Sequence, residues 1–253
     1  MFGWLAARKR RREVSRALEG YPIYSPPYPG DRIKKKQGEE NYAYFLANKS
    51  FRIESVFAFL RKFSIECDWS ENDIVKVGDW LWEYGEFLLP RDDSADYIMS
   101  AAYYDPPLIG DFIGMNIVTD IGVFLGDYLV LKSRGRLYWQ LHTDRHDIEM
   151  SNYLHPCIFG VEGRFIGGVL PLEPPHEVLD ICRARRTEQK TGTGVLLTAC
   201  KRGYLLARVA QLLDDDPKEF DVYMNDSAIT RRRHDILSGS TRRGNSYDGD
   251  NNV

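Results

Sequence analysis

The chain is expected to fold as an α+β protein, and three observations carry that expectation. Apolar residues recur at helical spacing through most of the first 135 positions. The period then shortens from 3.6 to 2, and helical spacing returns after Glu173. The expected order is N-terminal helices, a central buried helix, a small antiparallel β-meander and C-terminal helices.

Residues 4–19 read as a short basic helix. "YPIYSPPYPGDRIKKKQGEE" follows, and its prolines favour extended or turn backbone, so it reads as an arm lying on the surface. Regular structure is expected from about Glu40. In "ENYAYFLANKSFRIESVFAFLRKF", Tyr44, Phe45, Val56, Phe59, Leu60 and Phe63 fall where one or two helices would bring them together. "SEND" (Ser70 to Asp73) fits a capping box. The helix it opens carries Ile74, Val77, Leu81, Tyr84 and Leu88 on one face, and Pro90 stops it.

"DIGVFLGDYLVLKSRGRLYWQL" (Asp120 to Leu141) is the most patterned stretch. Gly122 and Gly126 share a helical face with Met115, Val118, Leu125 and Leu129, so another element can approach closely there. Asp120 and Asp127 share the opposite face with Asn116. The helix is apolar almost all round and should be buried, with Gly135 as a left-handed stop. Leu137, Trp139 and Leu141 then alternate with Arg136, Tyr138, Gln140 and His142, as in a half-buried strand. "CIFGVEGRFIGGVL" reads as two strands about a Glu162-Gly163 turn. "EPPHEVLDICRARR" and "RGYLLARVAQLL" read as helices. The expected organisation is a basic arm and Pro/Tyr-rich extended segment over 1–39, a single α+β domain over 40–235 and a disordered tail over 236–253.

The net charge of −3 hides an asymmetry: residues 1–36 carry +7, residues 231–253 carry +2, and the body between them carries −12. A body this acidic is a poor binder of nucleic acid. Cys67, Cys157, Cys182 and Cys200 form no CxxC pair, which suits reduced thiols in a cytoplasmic protein. No secretory signal is visible, because the apolar stretch of "MFGWLAARKRRR" precedes its basic run.

Three groups of residues are candidates for function. Asp120 and Asp127 are candidate catalytic carboxylates. Their Cα atoms would stand about 10 Å apart, too far to share a proton yet compatible with flanking a substrate. A core helix with one polar stripe is the expectation preferred here. Either aspartate would cost about 3 kcal/mol inside a bilayer, so a transmembrane reading is set aside. His142, Asp144 and His146 in "LHTDRHD" are ligand types for zinc or another divalent metal, although their spacing matches no zinc signature. Trp4, Arg8, Lys9, Arg10, Arg11 and Arg12 suit an anionic membrane or an acidic partner, the aromatic dipping in and the cations meeting negative charge. "KTGTG" lacks the GK[ST] ending of a phosphate loop, and no GxSxG is present.

"YPIYSPPYPG", "ENYAYFLANKSFRIESVFAFLRKF", "GDWLWEYGEFL", "DIGVFLGDYLVLKSRGRLYWQL" and "HPCIFGV" occur in that order. Through them residues 21–170 resemble a loose group of bacterial proteins of no assigned function. The resemblance implies a bacterial cytoplasmic protein and carries no activity, cofactor or catalytic residue. The expectation is therefore a non-enzymatic interaction or accessory protein of the immunity or regulatory kind, with no cofactor and with another protein as partner. The alternatives are a metal-dependent hydrolase built on His142, Asp144 and His146, and peripheral membrane attachment through the basic N-terminus.

Overall fold

The structure is a computed structural model that describes residues 2–30, 33–91, 108–144, 152–160, 171–191 and 202–214, without the side chains of 2, 3 and 188–191. The Glu162-Gly163 turn, His146, Cys200, most of "KTGTG" and the 236–253 tail lie outside these residues.

The fold is α+β. Among the described residues it comprises α1 (Phe2–Ala17), α2 (Lys35–Arg61), α3 (Glu71–Tyr84), α4 (Ile113–Lys132), β1 (Tyr138–Leu141), β2 (Pro156–Phe159), α5 (Pro174–Thr191) and α6 (Tyr204–Leu213). α2 is one continuous helix that starts before Glu40. Its first turn is closed by Gln37, whose side chain accepts from the Lys34 N–H at 2.7 Å. In α3, Asp73 reaches back as "SEND" predicts, accepting from the N–H groups of Ser70 at 3.1 Å and Asp68 at 2.7 Å. After Tyr84 the helix tightens into a 3₁₀ turn, Gly85–Leu88, and Leu89 is extended ahead of Pro90.

α4 is the centre of the molecule. Met115, Ile117, Ile121, Leu125 and Leu129 are fully buried in a core shared with Phe59 and Leu60 of α2 and Ile74 and Leu81 of α3. α4 and the turn before it are long and apolar enough to cross a membrane, but 83% of that stretch is buried against the protein's own helices. The two glycines serve close approach. A Cβ on Gly122 would stand 2.5 Å from the Pro175 backbone at the start of α5, and one on Gly126 would stand 2.1 Å from the Trp139 ring. Beyond α4, Arg134 and Gly135 both take left-handed φ values, 55° and 85°, and turn the chain into β1.

β1 and β2 pair antiparallel, Tyr138 opposite Phe159 and Leu141 opposite Pro156. A bridge between Ile158 and Leu172 adds a third segment to the meander. Leu137 and Leu141 are buried and Tyr138 is exposed, as the alternation requires, but His142 breaks it by being buried.

The Pro/Tyr-rich segment is the main departure from the sequence reading. Tyr21 and Tyr24 are buried rather than spread on the surface. The segment is held by side chains that bond its backbone. Asn116 accepts from the Tyr24 N–H at 2.9 Å, Asn41 both accepts from and donates to the Tyr28 backbone, and Arg52 donates to the Pro22 carbonyl at 2.8 Å. Buried backbone without helix or ladder partners needs such bonds.

Candidate functional site

α2 packs against α4 with Arg52 facing Asp120 and Lys49 facing Asp127. Asp120 is fully buried. Arg52 grips it with two bonds, Nε to Oδ1 at 2.8 Å and Nη2 to Oδ2 at 2.5 Å. The Tyr21 hydroxyl donates to Oδ2 at 2.5 Å. The guanidinium also lies over the Tyr21 and Tyr24 rings, 5.6 and 5.4 Å from their centroids. Burial pushes the Asp120 carboxyl up to about 6, while Arg52 and then Tyr21 pull it back toward the ionised form. Burial and the neighbouring carboxylate hold the Tyr21 hydroxyl protonated far beyond its ordinary range. Asp127 is partly exposed and accepts from Lys49 Nζ at 2.6 Å and from the Trp139 indole at 2.7 Å. The two carboxylates therefore face two separate sets of donors rather than one shared pocket.

The metal candidates do not come together among the described residues. His142 is buried, its Nδ1 3.0 Å from Asn152 Oδ1 and its ring against Tyr153 and Phe159. Asp144 is exposed and His146 lies outside the described residues. No group of three His, Cys, Asp or Glu with metal-binding geometry occurs among the described residues. A cavity of about 60 Å³ bounded by Tyr24, Thr119, Trp139, His155, Glu173 and His176 lies near α4. Its volume suits about two waters, since each takes about 30 Å³. His176 Nδ1 stands 3.3 Å from Glu173, yet burial lowers the imidazole to about 4 and keeps it neutral at neutral pH. Burial pushes the Cys67 and Cys182 thiols up to about 12 and raises that of Cys157, which disfavours their thiolate forms.

The N-terminal candidates divide. Arg10 reaches α3 in a surface ion pair, its Nη2 2.7 Å from Glu83, and Arg11, though exposed, lies over the Phe87 ring. Tyr84 donates to Glu13, and Val14, Ala17 and Leu18 are buried. These contacts pin α1 to the body. Trp4, Arg8, Lys9 and Arg12 stay exposed, joined by Leu5 and Arg16.

Between α1, the end of α2 and α3 runs an open groove of about 750 Å³. Its floor is aromatic, with Phe63 edge-on to Trp80 and Trp80 stacked on Tyr84. Its rim carries Glu13, Arg16, Lys62 and Lys76. Trp80 Nε1 is buried and has no acceptor among the described residues. Ser64, at the end of α2, is exposed on the rim with φ 61°.

Protein-family models, curated proteins and solved structures were all compared with the chain. None matches. The site is therefore judged on its own geometry. Sequence reasoning found both carboxylates of α4 but missed their partners Tyr21, Arg52 and Lys49, and it missed the groove. The available signal for the partners was a Lys and an Arg three apart in a helix otherwise rich in buried apolar positions.

Proposed function

We propose that this is a non-enzymatic, cytoplasmic binding protein whose working surface is the aromatic-floored groove between α1 and α3, and whose partner is another protein. The groove carries the reading. It joins a large open volume to a floor of three packed aromatics, Phe63, Trp80 and Tyr84, a combination suited to an apolar side chain of a partner segment. The mixed charges of the rim would set the segment's orientation. Supporting it, Asp120, Asp127 and His142, the strongest candidates for chemistry, are each engaged by structural partners.

Site-specific photo-crosslinking in the native host tests this. A crosslinker at Ser64 should trap one discrete protein adduct, and one at the exposed Leu131 on α4 should not. Binding of the purified partner should then weaken at least tenfold in Tyr84→Ala. Equal labelling from both positions, or no adduct at Ser64, would remove the reading.

A further inference from the structure

We infer that the outer face of α1 docks on an anionic phospholipid surface. Trp4, Leu5, Arg8, Lys9, Arg12 and Arg16 are all exposed and fall within an arc of about 140° at 100° per residue. Trp4 is 66% and Leu5 54% exposed, among the most exposed large apolar side chains described. The Arg8 guanidinium lies 5.4 Å from the Trp4 ring centroid, which sets an aromatic and a cation side by side.

A shallow concavity of about 300 Å³ is formed entirely by α1 side chains, with Arg8, Lys9, Arg12 and Arg16 around it. Its one acid, Glu13, is met by the Tyr84 hydroxyl at 3.2 Å and Lys9 at 3.8 Å. Four cations around a concavity suit the phosphate of a lipid headgroup, and the helix lying flat would put Trp4 and Leu5 at headgroup depth. An acidic protein would match the charge alone. The pair Trp4 and Leu5 on the same face favours an interface with an apolar layer beneath the charge.

The rest of the chain orients the contact. Val14, Ala17 and Leu18 are buried and Arg10 pairs with Glu83, so α1 is fixed to the body with this arc outward. The body over 37–230 carries −12 and is repelled by the surface that α1 meets. This face shares Glu13 and Arg16 with the groove rim, whereas the aromatic floor of the groove belongs to α3 and the end of α2.

Sedimentation of the full chain with phosphatidylserine-rich vesicles tests it, with pure phosphatidylcholine vesicles in parallel. Binding is expected on the anionic vesicles alone and should fade in about 0.5 M salt, where screening shortens to a few Å. Each cation removed should lower partitioning about fivefold. R8A/R12A should therefore lose about 25-fold, and W4A/L5A should also weaken binding, both with unchanged circular dichroism. Lys76→Ala, on the groove rim and away from α1, should bind vesicles as wild type does, which keeps this result separate from the groove. Equal binding to both vesicle types, or binding that survives R8A/R12A, would overturn the inference. So would failure to sediment with anionic vesicles, which would leave an acidic protein as the occupant of this face.

Discussion

Asp120 and Asp127 are the same residue on the same face of one helix, yet their surroundings differ in kind. Asp120 is sealed from water and held by a bidentate arginine and a tyrosine hydroxyl. Asp127 sits at the edge, partly exposed, where a lysine and an indole reach it. The difference teaches that partners do not by themselves decide what a carboxylate contributes. Losing water makes Asp120 dependent on Arg52, whereas Asp127 can exchange its partners for solvent.

The largest effect should come from breaking the sealed end. Arg52→Ala leaves Asp120 buried without its counter-charge and also frees the Pro22 carbonyl, so a loss of about 3–5 kcal/mol is expected in chemical denaturation. A loss below about 1 kcal/mol would show that Asp120 is less isolated than its burial suggests. Gly122→Leu should follow at about 3 kcal/mol, because its Cβ meets backbone at the start of α5 that cannot rotate aside. A thermal melt in which Asp127→Asn falls further than Gly122→Leu would reverse the ranking of packing over charge.

The two ends should also differ in their response to pH. The folded Asp120 carboxyl titrates near 6 against an ordinary 3.8. Between those values the native chain holds a proton that the unfolded chain releases. Its contribution to stability is therefore fully present below pH 3.8, is lost as pH rises through 6, and is level above that. The change is on the order of 2–3 kcal/mol. Urea midpoints measured from pH 4 to 7 should show it in wild type and in Asp127→Asn but not in Asp120→Asn. The smallest effect is Asp127→Asn itself at neutral pH. The amide still accepts from Trp139, and a partly exposed ion pair contributes about 1 kcal/mol or less.

Much of the fold was legible because local signals agreed with the tertiary outcome. The apolar stripe of α4, the Asp73 cap, the shift to period 2 after Gly135 and the proline start of α5 each act within one element. Gly122 and Gly126 announced close packing, though only the structure names Pro175 and Trp139 as the neighbours. The Pro/Tyr segment was misread because its prolines signal irregular backbone, and irregular backbone is usually at the surface. Its burial depends on Asn41, Arg52 and Asn116, which lie 13 to 92 positions away from the groups they bond. His142 was misread likewise: alternation placed it outside, and the Asn152 partner that lets it sit inside lies 10 positions further along the chain. The groove is a juxtaposition of α1, α2 and α3, and no single stretch of sequence encodes it.

A double-mutant cycle on Arg52 and Asp120, with the parallel cycle on Lys49 and Asp127, tests the contrast most directly. Arg52→Met and Asp120→Leu should each destabilise strongly, while the double variant should lose little more than either alone, a coupling of about 3 kcal/mol. The Lys49 and Asp127 pair should couple by about 1 kcal/mol or less. Additive losses at Arg52 and Asp120, or stronger coupling at the Lys49 end, would contradict the view that the sealed carboxylate of α4 is a structural lock.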